Sequence, residues 1–250
     1  MAEEVVQKKK KKRRKKHYFL RFLIFAVLIA AAIWFLSSSF FDVQGYRISG
    51  NIHYTDSQIK DISGLQTGKN ILFETNLRQG RNRLLDTSYI KIAKMSRELP
   101  GTVVIEVSER EEFACVPYGD GYIIIDSEGL VLRSTDILPE LPILDELTVL
   151  SRTDGAPLEV EQSSLLNQGL KLLIQASEND FYFQRISLNA VSSKAYIYYD
   201  SYYCQGTMDN ILENVVKIKV MVGQQYQQNI QRGCIVVGSN NYLSFTPQID

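Results

Sequence analysis

Histidine is nearly absent from this 250-residue chain, which holds His17 and His53 only. His17 belongs to a basic tail and His53 to a turn after Gly50-Asn51, so a Ser-His or Cys-His pair outside the tail would have to form around His53. No HExxH helix and no GxSxG elbow is present. Cysteine is scarce too: Cys115, Cys204 and Cys234 are far apart, odd in number and without a CxxC pair, which excludes a closed disulfide framework and a ribbon-type zinc site. Free core thiols are expected, with a Cys204–Cys234 bridge open only if their strands adjoin. Gly64 to Asn70 imitates a phosphate loop, but it has three residues between its glycines where the motif needs four and ends in Asn. Carboxylates are plentiful, yet no spacing selects the pair that glycoside hydrolysis requires. No catalytic residue, metal site or cofactor is expected.

What the chain does have is a charge separation hidden by a formal net charge of zero. Nine basic residues, Lys8 to Lys16, precede an uncharged and largely apolar stretch from Phe22 to Phe41. About 20 such residues suffice to cross a bilayer as a helix. Residues 1–21 hold ten basic and two acidic residues, a net of +8, and leave −8 on the remainder. Lys and Arg flanking a span stay on the cytoplasmic side, so the amino terminus is expected inside and residues 42–250 outside. Ala30-Ala31-Ala32 offers a signal-peptidase alternative, but Ile33 to Leu36 continue the apolar run, which favours an uncleaved anchor. The basic run suits topology and anionic lipid headgroups. The acidic remainder is not built to grip nucleic acid.

The external region opens with a β-α-α-β-β pattern. Gln44 to Ser49 reads as a strand closed by Gly50-Asn51, and Thr55-Asp56-Ser57-Gln58 as a capping box ahead of a short helix with Ile59 and Ile62 on one face. A second helix from Thr75 or Asn76 carries Leu77, Leu84 and Leu85. Ile90 to Ser96 and Thr102 to Ser108 then form strands around the Leu99-Pro100-Gly101 turn. Two helices over a three-stranded sheet make a small α+β domain. Glu109-Arg110 follows at its end, where alternation sends adjacent side chains to opposite faces.

The second half reads as a β-rich unit. Phe113 to Tyr118, Gly121 to Asp126 and Leu130 to Arg133 are expected strands, and Asp126-Ser127-Glu128-Gly129 reads as a turn and not a catalytic cluster. Leu141 to Leu144 is an extended crossing. A helix is predicted from about Glu159 to Glu178, then strands over Arg185 to Asn189 and Lys194 to Asp200, a long helix capped by Thr207 and running to about Gln225, a strand at Cys234 to Val237, and one more at Tyr242 to Phe245.

Phe41 to Ala114 resembles the POTRA module of the bacterial division proteins FtsQ and DivIB. The resemblance rests on Ile48-Ser49-Gly50-Asn51, Gly68-Lys69-Asn70-Ile71, Tyr89-Ile90-Lys91 and, above all, the run from Arg97 through Leu99-Pro100-Gly101-Thr102 to Glu109-Arg110. Ile125 to Leu132 and Leu141 to Leu144 are similar to that family's β-domain. The resemblance implies a basic cytoplasmic tail (1–21), a transmembrane helix (22–41), a POTRA domain (42–112), a β-domain with two longer helices (113–238) and a carboxyl-terminal tail (239–250). It implies a non-catalytic scaffold of the divisome, in the cell membrane at the division septum, that binds FtsL and FtsB or DivIC and is linked through them to septal peptidoglycan synthesis. It further implies a partner-binding sheet edge around Cys234, Ile235, Val236 and Val237. Tyr242 and Phe245 are candidate aromatic anchors there, because large aromatics often dominate interface energies, against the alternative that Ile235 and Val237 face the core and Phe245 covers it. Glu109 and Arg110 are read either as a domain junction or as solvated surface contacts. A membrane-anchored cell-wall hydrolase or wall-binding protein is the alternative reading.

Overall fold

The first helix ends earlier than its apolar run does. In this computed structural model, which describes residues 18–197, 201–240 and 242–248, helix α1 spans Tyr18–Leu36 and is long and apolar enough to cross a membrane. The basic run Lys8 to Lys16, His17, and Tyr198 to Asp200 at the end of an expected strand lie outside the described residues. The expectation of a helix reaching Phe41 is corrected. Ser37-Ser38-Ser39, whose hydroxyls compete for backbone groups, ends the helix, and Ser39–Phe41 form a single 3-10 turn that buries Phe41.

The backbone divides into two compact units. One holds the described part of residues 1–47 with 65–76 and 96–104; the other holds 48–64, 77–95 and 105–250. In the first unit the stretch after α1 is bound tightly to the 68–75 loop. Val43 and Lys69 bond through Val43 N–H to Lys69 O (2.9 Å), Gly68 N–H returns to Val43 O (2.9 Å), and Ile71 N–H donates to Phe41 O (2.8 Å). Asn70, itself buried, donates from Nδ2 to the carbonyl of Leu36 (2.9 Å), one of the orphan acceptors at the end of α1. Its Oδ1 accepts from Leu72 and Phe73 N–H, while Arg97 donates to the carbonyls of Ile71 (2.6 Å) and Thr75 (2.9 Å). Gly68 to Ile71, one of the stretches that carry the family resemblance, thus tie the loop to the helix exit.

The expected β-α-α-β-β order is the order found. Strand β1 (Gly45–Ser49), α2 (Asp56–Ser63), α3 (Leu77–Leu85), β2 (Ile90–Glu98) and β3 (Thr102–Glu109) give a sheet of order β1-β3-β2. The capping box forms as read: Thr55 Oγ1 accepts from Gln58 N–H (3.3 Å) and Gln58 Oε1 from Thr55 N–H (2.9 Å). Gly50, at φ 84°, turns the chain where a Cβ would lie 2.0 Å from the carbonyl oxygen of Val107.

Beyond it, β4 (Ala114–Tyr118), β5 (Gly121–Ile125), β6 (Val131–Thr135), β7 (Ile143–Asp145), β8 (Val149–Ser151), β9 (Glu159–Val160), α4 (Ser163–Glu178), β10 (Arg185–Ser187), β11 (Ser193–Ile197), β12 (Tyr202–Gly206), α5 (Met208–Glu213), α6 (Val215–Gln227), β13 (Gly233–Val237) and β14 (Leu243–Pro247) follow. Nine of these strands make one sheet of order β14-β13-β12-β11-β10-β7-β4-β5-β6, and β8 and β9 pair separately. Leu166, Leu170 and Leu173 of α4, with Ile211, Val215, Ile218 and Val222 of α5 and α6, share a buried core with Leu144, Ile186, Ala195, Cys204 and Ile235 of the sheet. The helix expected from Glu159 starts at Ser163, because Glu159 and Val160 pair with Val149 and Ser151. The long helix expected from Thr207 is two helices. Asn214 leaves the helical region at φ −116°, ψ 14° and donates from its side chain to Asn210 O (2.9 Å). Residues 239–250, expected as a tail, contain β14.

Gly50→Ala should lower stability by at least about 2 kcal/mol, because it adds positive-φ strain to a collision with Val107 backbone. Thermal unfolding of the variant beside the wild type checks this.

Candidate functional site

The carboxyl-terminal strands alternate strictly. Ile235 and Val237 enter the core with Tyr202 and Cys204, whereas Cys234 and Val236 face the other side of the sheet. Cys204 therefore cannot bridge to Cys234: the register sets Tyr203 opposite Cys234 and Cys204 opposite Ile235. All three cysteines are free and buried, as expected, and burial pushes the Cys115 and Cys204 thiols up to about 11 and about 12.

The free edge is not where the sequence suggested. β13 is flanked by β12 in parallel and β14 in antiparallel, so Cys234 to Val237 form an interior strand. β14 is the outermost strand, and among the described residues it pairs with β13 alone. Bonds from Gly238 N–H to Tyr242 O (2.8 Å) and from Gln248 N–H to Arg232 O (3.2 Å) set the antiparallel alternation. Ser244 and Thr246 consequently face Val236 and Cys234 across the hydrogen-bonded pairs, and the N–H and C=O groups of Leu243 and Phe245 point outward. Pro247 occupies the third outward position and has no N–H to offer.

Side chains at this edge divide into two sets. Phe245 packs partly onto the core, its ring 6.5 Å from that of Tyr202, and Leu243 lies on the same side. Tyr242 is 61% exposed and Val236 is 44% exposed. Beside Tyr202, a cavity of about 570 Å³ opens against Val222, Gly223 and Tyr226 of α6. Of the six expected partner-binding residues, Val236 and Tyr242 thus present side chains to solvent, and Phe245 presents backbone. Sequence reasoning missed β12 and the outward backbone of Leu243; the alternation of Tyr202 and Cys204 with Tyr203 and Gln205 was the available signal.

The opposite rim of the sheet is treated differently. Val131 of β6 donates to Ala156 O (2.9 Å) and accepts from Gly155 N–H (2.8 Å), and Leu130 bridges to Pro157. Arg152 also reaches Ser134 Oγ (2.8 Å).

Glu109 and Arg110 separate at the end of β3. Glu109 turns back and accepts from the backbone N–H groups of Ile52 (2.9 Å), His53 and Tyr54 (3.2 Å). Arg110 turns forward, donating through Nη1 to Asp126 Oδ2 (2.5 Å) and Glu128 Oε2 (2.8 Å). Asp126 is buried, and its other oxygen takes the N–H groups of Glu128 (2.9 Å) and Leu130 (2.8 Å), so the expected turn is present and doubles as a guanidinium site. Burial alone would lower the Arg110 guanidinium; the bonds to Glu128 and Asp126 outweigh it and hold it above its ordinary value. Lys91 of β2 donates to the second oxygen of Glu128 (2.8 Å), and Lys91 followed by Arg110 holds that carboxyl down to about 2. Alongside, Glu112 accepts from Arg133 Nε (2.6 Å) and Tyr89 OH (2.6 Å), and Arg133 is the first cause of its lowered pKa. His53 stacks on Tyr89 with centroids 3.8 Å apart, which makes it a packing residue. Among the described residues no cluster of three or more His, Cys, Asp or Glu could hold a metal ion.

Because the folded Glu128 carboxyl lies below its ordinary 4.5, its stabilising effect is complete above about 4.5 and disappears as pH falls through about 2. The stability difference between wild type and Glu128→Gln should therefore be largest above pH 4.5 and vanish toward pH 2, as thermal melts across that range would record. Removing the carboxylate of Asp126, by Asp126→Ala, leaves a largely buried guanidinium short of a partner and should cost about 3–5 kcal/mol, measurable in the same melts.

Residues 43–110 match the family described as POTRA domain, FtsQ-type. The cell division protein DivIB of Clostridium acetobutylicum is 25% identical over 195 residues, covering 76% of this chain and 77% of that protein. DivIB of Clostridium botulinum strain Hall is 26% identical over 182 residues, 70% of each. The cell division protein FtsQ of Rickettsia bellii is 32% identical over 102 residues, 40% of this chain and 38% of that one. A solved structure of the major extracytoplasmic domain of the trans isomer of DivIB from Geobacillus stearothermophilus covers 48% of this chain and 97% of its own, at 14% identity and a TM-score of 0.30, too loose a superposition to carry an argument. Residues 43–110, which hold the β-α-α-β-β order, thus match an FtsQ-type POTRA domain, and over 70–76% of its length the chain is similar to cell division proteins named DivIB.

Proposed function

We propose that this chain is a non-catalytic, single-pass scaffold of the divisome, with its basic tail (1–21) in the cytoplasm, its POTRA (42–112) and its β-domain (from 113 and including β14) outside, and its place at the division septum. Its partners are bitopic division proteins of the FtsL and FtsB or DivIC type, which connect it indirectly to septal peptidoglycan synthesis. The observation that carries the reading is the open outer side of β14. The relatives' shared role as cell division proteins and the apolar α1 helix support it.

In this reading a partner segment adds a strand beside β14, bonding to the outward groups of Leu243 and Phe245, with Tyr242 as the exposed aromatic anchor. Cys234, Ile235, Val236 and Val237 serve mainly as the strand that holds β14 in register, with Val236 adding exposed surface. Glu109 and Arg110 serve as the domain junction, one ordering the turn before α2 and the other fastening the first turn of the β-domain. The partner stays a strand and not a helix in the groove because backbone groups, more than side chains, are what the edge offers.

Leu243→Pro removes an outward donor and leaves the bonds to β13 in place. It should reduce capture of FtsB- or DivIC-type protein by about tenfold, equivalent to one or two backbone hydrogen bonds, with a small change in thermal midpoint. Thr246→Pro breaks the inward ladder and should lower the midpoint itself. Pull-down of both full-length variants from membranes, with partners identified by mass spectrometry, decides the matter; wild-type capture by Leu243→Pro sinks edge pairing.

A further inference from the structure

The loop that caps the anchor helix carries an unpartnered aromatic residue beside the membrane boundary. At about 1.5 Å per residue, the uncharged part of α1 from Phe22 to Leu36 extends about 22 Å, short of the roughly 30 Å hydrocarbon thickness of a bilayer, so with α1 across the membrane the residues just after Leu36 fall at the membrane boundary. Asn70 Nδ2 is bonded to the Leu36 carbonyl there. The same Asn70 side chain accepts the N–H of Phe73, so one amide group joins the end of the span to the Phe73 backbone. Arg97 clamps the loop on both sides of that position through the Ile71 and Thr75 carbonyls. Phe73 is 60% exposed, and Phe40, stacked on Phe35 of α1, is 56% exposed. Lys69, next to Asn70, is exposed as well.

We propose that the Asn70–Phe73 loop is a membrane-contact site, with Phe73 and Phe40 inserted among the lipid headgroups around the exit of α1. The inference rests on α1 spanning the bilayer. The occupant is lipid and not protein because the apolar surface continues that of the helix: Phe40 stacks on the exposed Phe35 of α1, and the hydrogen-bonded path through Asn70 holds the Phe73 backbone close to the Leu36 carbonyl. Aromatic side chains are favoured at that depth. The contact would hold the base of the POTRA domain to the membrane and prevent free rotation about the residues after Leu36.

The chain has a single tryptophan, Trp34, inside α1. Full-length protein in phosphatidylcholine–phosphatidylglycerol vesicles, with part of the lipid brominated in the upper acyl chain, tests the proposal through two reporters: wild-type Trp34, and Trp34→Phe combined with Phe73→Trp. The exposed position of Phe73 accepts an indole without repacking. Both reporters should lose emission to bromolipid, and the one at position 73 should be blue-shifted and shielded from aqueous iodide. Quenching of Trp34 together with an iodide-accessible, bromolipid-insensitive indole at 73 overturns the loop contact and leaves the span intact. Failure of bromolipid to quench Trp34 overturns the span, and the proposal with it.

Discussion

Every backbone N–H and C=O at the rim of a sheet must pair, be covered or meet water, and that requirement organises this protein. The nine-stranded sheet has two rims. At β6 the segment from Gly155 to Pro157 folds over and takes the Val131 groups, and Arg152 adds a side-chain bond to Ser134. At β14 nothing among the described residues does so, and the only device that blunts the edge is Pro247, at its far end. The two rims of the sheet differ: the start of β6 is covered at Val131, whereas among the described residues the outer side of β14 has no paired strand. The interior placement of β13 serves that arrangement, since a strand paired on both sides holds β14 in a fixed register.

The end of β3 is joined to the turn after β5 by more than chain continuity. Arg110, Asp126, Glu128 and Lys91 form a connected set in which each carboxylate answers two demands: Asp126 orders its own turn and binds a guanidinium, and Glu128 bridges Arg110 to Lys91. Exposed ion pairs taken singly contribute about 0–1 kcal/mol. Here the guanidinium and one carboxylate are withdrawn from solvent, and that carboxylate, Asp126, also takes two backbone N–H bonds, so breaking the set strands a charge. The exit of α1 is handled by the same means, with a neutral side chain: Asn70 satisfies a helix-terminal carbonyl and two loop amides together.

Much of this was legible from residue type and spacing. The apolar stretch after Arg21, the Thr55–Gln58 capping box, the Gly50 turn and the two hairpin strands all rest on local chemistry, and α1, α2 and the β-α-α-β-β order followed. The helix end at Leu36 was misjudged because Phe40 and Phe41 extend the apolar run, although Phe41 belongs to the domain core. The break at Asn214 and the short β9 pairing are tertiary events with weak local signals. The edge itself was placed one strand too early. Ile235-Val236-Val237 has the strongest β pattern near the carboxyl end, and continuous apolarity marks a strand buried between neighbours; the true edge, Leu243-Ser244-Phe245-Thr246-Pro247, shows alternation and a terminal proline. Asp126 reads as a turn residue, which it is, while its ion pair with Arg110 depends on a fold that brings residues sixteen apart together.

The most direct test of the account is residue-resolved amide hydrogen exchange across β14, in the free protein and with purified FtsB- or DivIC-type partner bound. Ser244 and Thr246, bonded toward β13, should already be protected, and Leu243 and Phe245 should pass from fast to slow exchange when the partner binds. Unchanged fast exchange at Leu243 and Phe245 in the complex would contradict strand addition at this edge.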